Sequence, residues 1–401
     1  MDILVSIGML LQWLLFIYIA LSAFYFLFFA VASVFPYNIL KENLYTQHKF
    51  AVLIPGFKED KVILEVIDES LKQNYPSDKY DIIVIADSFE KATLEKIRLK
   101  PVKLIEVSFD ISTKSKALNK ALEQLSDNEY ELAVVLDADN IMEPDYLDKI
   151  NRSFMENQIA VQGHRVAKNN NTAFSVLDAI SEEINNNVFR KGHRNVGLSS
   201  ALIGSAMAFR FAFFKEIMKE VNAIGGFDKQ LELKIIKNRN KIDYHPSAYV
   251  FDEKVQNSQA FSNQRKRWVS AQLYYLRKDF LISFWHFLSK GNLDYFNKAF
   301  QFVQPPRILM LGLLMIINVL SLIFNPPMFQ ILWASALVFS LSGFFAATPR
   351  RFYTLKTLKA LSKLPVGFFL MFKSVLFHRE AKTHFIHTEH STNYHKENNS
   401  S

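Results

Sequence analysis

Two stretches of this chain carry no Asp, Glu, Lys or Arg: one between Ile3 and Leu40, the other between Ile308 and Pro349. A charge-free apolar run of about 20 residues is long enough to cross a bilayer as a helix. The first stretch reads as one span over Ile3–Val34. A cleaved signal peptide would need a basic leader and a shorter apolar core, whereas only Asp2 stands ahead of this run. The second stretch is broken by Asn325-Pro326-Pro327. Proline removes a backbone donor and fixes φ, so two spans joined by a tight turn are expected. Lys41 and Lys49 follow the first span, Arg350 and Arg351 follow the third, and the turn at Asn325 is uncharged. Basic flanks stay inside, which predicts a cytoplasmic middle domain and tail and an outward N-terminus.

Leu361–Phe377 is also apolar, but Lys363 and Lys373 interrupt it and Arg379 and Lys382 follow. A helix lying on the inner membrane face accommodates those charges better than a fourth span does. The net charge of +8 fits anionic headgroups as partners. A nucleic-acid partner is not expected, because the aromatics gather in the spans rather than among basic patches on a soluble surface. With no cysteine, the chain has no disulfide, thiolate metal site or cysteine nucleophile.

Between the spans, short β-branched runs alternate with amphipathic segments. Phe50–Ile54, Asp81–Ala86, Val102–Val107 and Leu132–Leu136 read as buried strands. Segments near Asp60–Gln73, Glu90–Arg98 and Lys114–Gln124 read as helices. This alternation predicts an α/β domain with a mostly parallel sheet. Ligands of such sheets sit beyond the carboxyl ends of the strands. Those ends carry Pro55-Gly56-Phe57-Lys58-Glu59, then Asp87, then Asp137-Ala138-Asp139. One strand-end Asp is often only a helix cap. Three acidic sites on one edge favour a ligand site. If the strand continued, Asp137 and Asp139 would share a face. Two such carboxylates can hold a hard divalent cation against a diphosphate.

These residues, with others downstream, resemble glycosyltransferase family 2, the inverting enzymes of GT-A fold. The match over Phe50–Trp268 is nearest the membrane-bound branch of cellulose, chitin, hyaluronan and poly-N-acetylglucosamine synthases. The resemblance implies a Rossmann-like mixed sheet and a UDP-sugar donor. It places Pro55, Glu59, Asp87, Lys114 and Asp137 at the nucleotide, and Asp139 on Mg²⁺ or Mn²⁺. Gln73-Asn74-Tyr75-Pro76 is typical of the family. Lys114-Ser115-Lys116-Ala117-Leu118-Asn119 looks like its Lys-x-x-Ala-Leu-Asn. Gly204-Ser205-Ala206 resembles a Gly-Ser-Gly near the acceptor sugar, with the last glycine lost.

The general base can be written in two registers. Taking Leu231-Glu232-Leu233 as the sequel of an acidic pair puts Gln230 at the base, where it cannot accept a proton. Taking Asp228-Lys229-Gln230-Leu231 as an imitation of the Asp-Arg-x-Leu pattern puts Asp228 there. The spacing to the later Gln-x-x-Arg-Trp favours Asp228. As a non-catalytic residue, Asp228 would cap a helix over Lys229–Asn238.

Gln264-Arg265-Lys266-Arg267-Trp268 resembles the Gln-x-x-Arg-Trp of membrane-bound synthases. On a helix, Gln264, Arg267 and Trp268 share a face. The ring then suits an acceptor sugar and the guanidinium a diphosphate. An interfacial basic-aromatic helix is the alternative. In the tail, Phe385, Thr388 and His390 resemble a gating loop that closes over the nucleotide. His384, His387 and His390 could otherwise cluster on a metal.

The expected organisation is a transmembrane helix over 1–47 and a GT-A domain over 48–285. A linker with two transmembrane helices would follow over 286–349, then an interfacial helix and tail over 350–401. The expected protein is an integral membrane enzyme of the bacterial inner membrane. It would extend a polysaccharide, or glycosylate a lipid acceptor; a catalytically silent partner subunit is the remaining alternative. With three spans, export of a polymer would call for a homo-oligomer or an export partner.

Overall fold

The computed structural model describes residues 2–37, 46–154, 158–223 and 225–377. Eight strands form one sheet: β1 (Phe50–Phe57), β2 (Tyr80–Asp87), β3 (Lys103–Val107), β4 (Leu132–Val135), β5 (Ile141–Met142), β6 (Ala160–Ala167), β7 (Met207–Arg210) and β8 (Ile242–Asp252). Their order is β3-β2-β1-β4-β7-β6-β8-β5. Strands β1 to β4 pair in parallel, as the alternation predicts. The other half is mixed. β7 lies antiparallel between β4 and β6, β6 runs parallel to β8, and β5 is antiparallel to β8.

The helices are α1 (Asp2–Val34), α2 (Ile63–Ser70), α3 (Lys91–Arg98), α4 (Lys114–Gln124), α5 (Tyr146–Asn151), α6 (Ala173–Asn185), α7 (His193–Asn195), α8 (Phe211–Met218), α9 (Phe227–Lys237), α10 (Ser258–Lys290), α11 (Leu293–Gln301), α12 (Arg307–Phe324), α13 (Pro327–Ala347), α14 (Leu355–Leu361) and α15 (Leu364–Leu376). One sheet face is covered by α4, α8 and α9 through Leu118, Phe214 and Leu231. The other is covered by α2, α3 and α5 through Ile63, Ile97 and Leu147. Each fully buried aliphatic side chain of this kind stabilises the fold by about 1.5–3 kcal/mol. The first strands carry such residues on both faces, which is why they read as unbroken apolar runs.

Among the described residues, three helices are long and apolar enough to cross a membrane: Ser6–Val34 of α1, α12 and α13. Phe16 packs on Trp333 near the start of α13, and Phe26 packs on Phe344 near its end, so α1 and α13 run in the same direction. At the far end, Gln12 Nε2 donates to Asn325 Oδ1 at 2.9 Å, in the turn between α12 and α13. At the near end, Asn195 Nδ2 donates to Ala32 O and Asn187 Nδ2 to Ala347 O, each at 2.8 Å. The sheet domain therefore meets all three helices on one side.

A π-helical turn over Asn186–Gly192 seats directly on α1. A Cβ on Gly192 would come within 2.3 Å of the Phe29 carbonyl oxygen, so only glycine permits this approach. The apolar segment at Leu361–Phe377 forms the end of α14 and α15. Phe368 lies over Gly312, and Met371 meets Val269 and Leu309 of α10 and α12. Its other side exposes Val366, Phe369, Phe372 and Leu376. Helix α10 runs without a break across the boundary expected between residues 285 and 286. Helix α11 then returns into the domain core through Tyr295 and Ala299.

Candidate active site

A cavity of about 1880 Å³ opens at the carboxyl ends of the parallel strands. Pro55, Glu59, Asp87, Lys114, Asp137, Asp139, Gly204, Asp228, Gln264, Arg267 and Trp268 all line it. Residues spread over more than 200 positions of sequence thus converge on one space. Ser205 is fully buried behind the wall rather than on it. Its Oγ accepts from Asp137 N at 3.0 Å and donates to Asn140 Oδ1, so it shapes the acidic turn. Phe385, Thr388 and His390, with His384 and His387, lie outside the described residues.

The strand does not continue through Asp137-Ala138-Asp139. β4 ends at Val135, and a turn closed by Asn140 N donating to Asp137 O at 3.1 Å takes over. The two carboxylates come together through this turn and not through strand alternation. A third, Asp252 at the end of β8, joins them. One oxygen from each lies within 4.8 Å of the others. Asp252 escaped the sequence reading because β8 was not recognised as a strand; the same strand-end rule would have found it.

Three hard oxygen donors without sulfur or imidazole suit Mg²⁺ or Mn²⁺. Asp139 is oriented by Asn140 Nδ2, which donates to its Oδ1 at 3.1 Å, and by Glu253 N, which donates to its Oδ2 at 3.2 Å. Asn140 Nδ2 also donates to Asp252 Oδ1 at 3.1 Å.

Cations crowd this cluster. Arg165 Nη1 lies 3.7 Å from Asp137 and 3.5 Å from Asp252, and Lys254 Nζ lies 2.6 Å from Asp252. Arg165 also pairs with Glu182 at 3.2 Å, and Arg190 meets the other oxygen of Glu182 at 3.2 Å. Burial opposes ionisation of Asp252, but Arg165 and Lys254 outweigh it and hold the carboxyl below its usual range. Glu182 is lowered in the same way, against burial, by Arg165, Lys254 and Arg190. These balanced charges were invisible in sequence because β6, which carries Arg165, was not read as a strand either. On the opposite wall, burial lowers the Arg267 guanidinium, with the Asp137 charge pulling it back up.

Lys114 is held by Thr113, which caps α4 by accepting from Lys116 N at 3.2 Å. Its Nζ pairs with Asp137 and donates to Gly204 O at 2.7 Å. Gly204 has φ +85°, and a Cβ there would come 3.9 Å from Asp228 Cγ. Ala206, where the family motif has glycine, keeps a left-handed φ of 53°. An L-residue in that conformation costs about 1–2 kcal/mol. The motif's backbone shape survives the loss of its last glycine.

The two registers for the base separate in space. Helix α9 begins at Phe227 after Gly226 in a left-handed conformation, two residues earlier than a cap at Asp228 requires. Asp228 therefore sits inside the first turn, facing Gly204. Gln230 is buried and occupied: its Oε1 accepts from Asn222 N at 3.2 Å, and its Nε2 donates to Asn222 Oδ1 at 3.3 Å and Glu220 O at 3.4 Å. It fastens the segment before α9. Leaving Asn222 N without its acceptor in Gln230→Ala should cost about 1–3 kcal/mol of stability, read by thermal unfolding. Turnover of the folded variant should stay within about threefold of wild type.

Gln264, Arg267 and Trp268 share the cavity-facing side of α10, as their spacing predicts. The unpredicted neighbour is Arg265. It pairs with Asp178 at 2.6 Å and covers one face of the Trp268 ring at 4.2 Å from the centroid.

A mixed sheet with strand-end carboxylates around a deep cavity fits the GT-A fold of glycosyltransferases. Residues 48–271, more than half of the chain, match the model of glycosyltransferase like family 2, and the chain belongs to that family. Among solved structures it is similar to the mannosyltransferase PcManGT from Pyrobaculum calidifontis in complex with GDP-Man and Mn²⁺. That likeness has 16% identity and a TM-score of 0.50, over 82% of this chain and 98% of the other. A looser likeness is to S. aureus TarS 1-349 in complex with UDP-GlcNAc, at 16% identity and a TM-score of 0.40, over 83% and 91% of the two chains. No curated protein sequence matches the chain.

Proposed function

We propose that this glycosyltransferase is an inverting enzyme that moves a sugar from a UDP-sugar to a hydroxyl of a membrane-held acceptor. The observation that carries the reading is the convergence of Asp137, Asp139 and Asp252 with Asp228, Gln264, Arg267 and Trp268 on one cavity. Asp228 acts as general base, taking the acceptor proton as the hydroxyl oxygen attacks the anomeric carbon. The bond from that carbon to the diphosphate breaks in line, so an α-linked donor gives a β-linked product. Pro55, Glu59 and Asp87 hold the nucleoside. Lys114 and Arg267 face the diphosphate.

Asp139, with Asp137 and Asp252, would hold Mg²⁺ or Mn²⁺; PcManGT, of the same fold, was solved with Mn²⁺. The ion supplies charge neutralisation at the leaving diphosphate. Arg165 and Lys254 balance the carboxylates that hold it. Trp268 offers its remaining ring face to the acceptor sugar.

The resemblance to membrane-bound synthases points to a growing cell-surface or exported polysaccharide as acceptor, with the catalytic domain in the cytoplasm. A second reading, a single transfer to a lipid, is favoured by the cavity's far wall. That wall is built from Phe26 of α1, Met310 and Leu311 of α12 and Phe344 of α13. Radiolabelled product separates the two. A ladder of lengths supports the polymer, one organic-soluble species supports the glycolipid, and an α-linkage by proton NMR contradicts inversion.

A further inference from the structure

The cavity has a polar end at the acidic triad and an apolar end among the membrane helices, and a half-buried arginine stands between them. Arg307 opens α12, at the level where the sheet domain meets the spans. Its guanidinium lines the cavity and lies beside the rings of Phe26 and Phe189, 5.8 and 5.7 Å from their centroids. Its hydrogen bonds go to neutral oxygens. Nη2 donates to Asn185 Oδ1 at 2.7 Å and, at 3.4 Å, to Ser181 Oγ and Ser181 O. Nη1 is buried with no hydrogen-bond partner among the described residues.

The nearby carboxylates are committed elsewhere, Asp178 to Arg265 and Glu182 to Arg165 and Arg190. A half-buried guanidinium with one nitrogen enclosed and no paired anion is costly, because charge drawn out of water is normally matched by an opposite charge. The planar fork fits a phosphate group.

The wall beyond Arg307 shows how such a phosphate could arrive. Leu341, Phe345, Tyr353, Leu355, Leu358 and Leu361 line the cavity and are exposed. These residues belong to α13, α14 and the segment joining them. At the domain end of α13 and along α14 the cavity is therefore edged by exposed side chains suited to hydrocarbon.

We infer that Arg307 is an anion subsite for the acceptor, and that the acceptor is an amphiphile with a phosphate or diphosphate between its apolar chain and a hydroxylated head. The chain leaves through the gap at α13 and α14, the phosphate pairs with Arg307, and the head reaches Asp228. The assignment rests on the transferase reading of that site and adds the acceptor's chemical class to it. No bond to the phosphate is made or broken; the head-group hydroxyl is the nucleophile, and its proton goes to Asp228.

The test is binding, so that it does not depend on turnover. The full chain in detergent, with EDTA present, is titrated by thermal shift with farnesyl diphosphate, lysophosphatidylglycerol and uncharged farnesol. Wild type should bind one of the two anionic probes at least about tenfold more tightly than farnesol. The preferred probe names the source: isoprenoid diphosphate or glycerophospholipid. Arg307→Gln should remove that preference, and Arg307→Lys, which keeps the charge but not the fork, should weaken it about threefold or more. If Arg307→Gln does not fold, the lysine variant carries the comparison. Equal affinity for farnesol and both anionic probes, or unchanged anion binding in whichever variant folds, overturns the inference. Asp228→Asn should leave probe binding intact. An Asp228→Asn variant that still transfers sugar would refute the catalytic reading without touching the Arg307 result.

Discussion

Asp228→Asn is expected to reduce transfer by about 10²- to 10⁴-fold, the range a positioned general base contributes, while nucleotide affinity is unchanged. Asparagine keeps the shape and loses the proton acceptor. The site around Asp228 should tolerate the change. The nearest cation, Lys229 Nζ, is 3.9 Å from the carboxylate, too far for a strong pair, and Gly204 leaves the space beside it open. Lys114, Asp137 and Asp139 lie on other elements and keep their hydrogen bonds. Turnover in donor and acceptor, set beside nucleotide binding by calorimetry, separates chemistry from folding. Near-normal turnover would return the choice to the other register. Gln230 cannot serve there as a base, so the chain would then need a base outside α9.

The second large effect belongs to Asp139. Asp139→Asn, or removal of divalent ions by EDTA, should lower transfer by about 10³-fold, since a Lewis acid at a leaving group is worth several kcal/mol and each 1.36 kcal/mol is tenfold. Both oxygens of Asp139 are already oriented, one by Asn140 and the other by Glu253 N. An amide there keeps one acceptor and turns a donor toward a neighbouring donor, so the ion site loses both charge and geometry. The check is a Mn²⁺ titration of transfer. Wild type should saturate and recover fully after EDTA; the variant should need much more Mn²⁺ or fail to recover. A variant that saturates at the wild-type concentration would remove Asp139 from the ion site.

The parts of this enzyme that could be read without coordinates are those where one rule acts alone. Strands β1, β2 and β4 are buried on both faces and stand out as apolar runs, the edge strand β3 buries only Ile105, and α4 runs from Lys114 to Gln124 as its pattern predicts. The three helices long and apolar enough to cross a membrane are legible because a long charge-free apolar run is itself the signal. Strands β6 and β8 were missed because their cores hold Gln162, Arg165, His245 and Asp252. Such residues are stable inside only through partners far away in sequence, and no local pattern announces them. Asp252 illustrates the cost: it is a third carboxylate of the acidic cluster, at the end of an unrecognised strand. Arg307 shows the converse. In sequence it marks only the start of an apolar helix, and its bond to Asn185 with an enclosed, unpartnered Nη1 gives it a further meaning.

Release of UDP by the detergent-solubilised full chain tests the central claim most directly, measured over a panel of UDP-sugars with Mn²⁺ and with EDTA, for wild type and Asp228→Asn together. One donor should give acceptor-stimulated release that disappears in EDTA and falls at least about 10²-fold in the variant. Release at background with every donor, or release that the variant retains, would contradict the assignment of this cavity as a sugar-transfer site with Asp228 as its base.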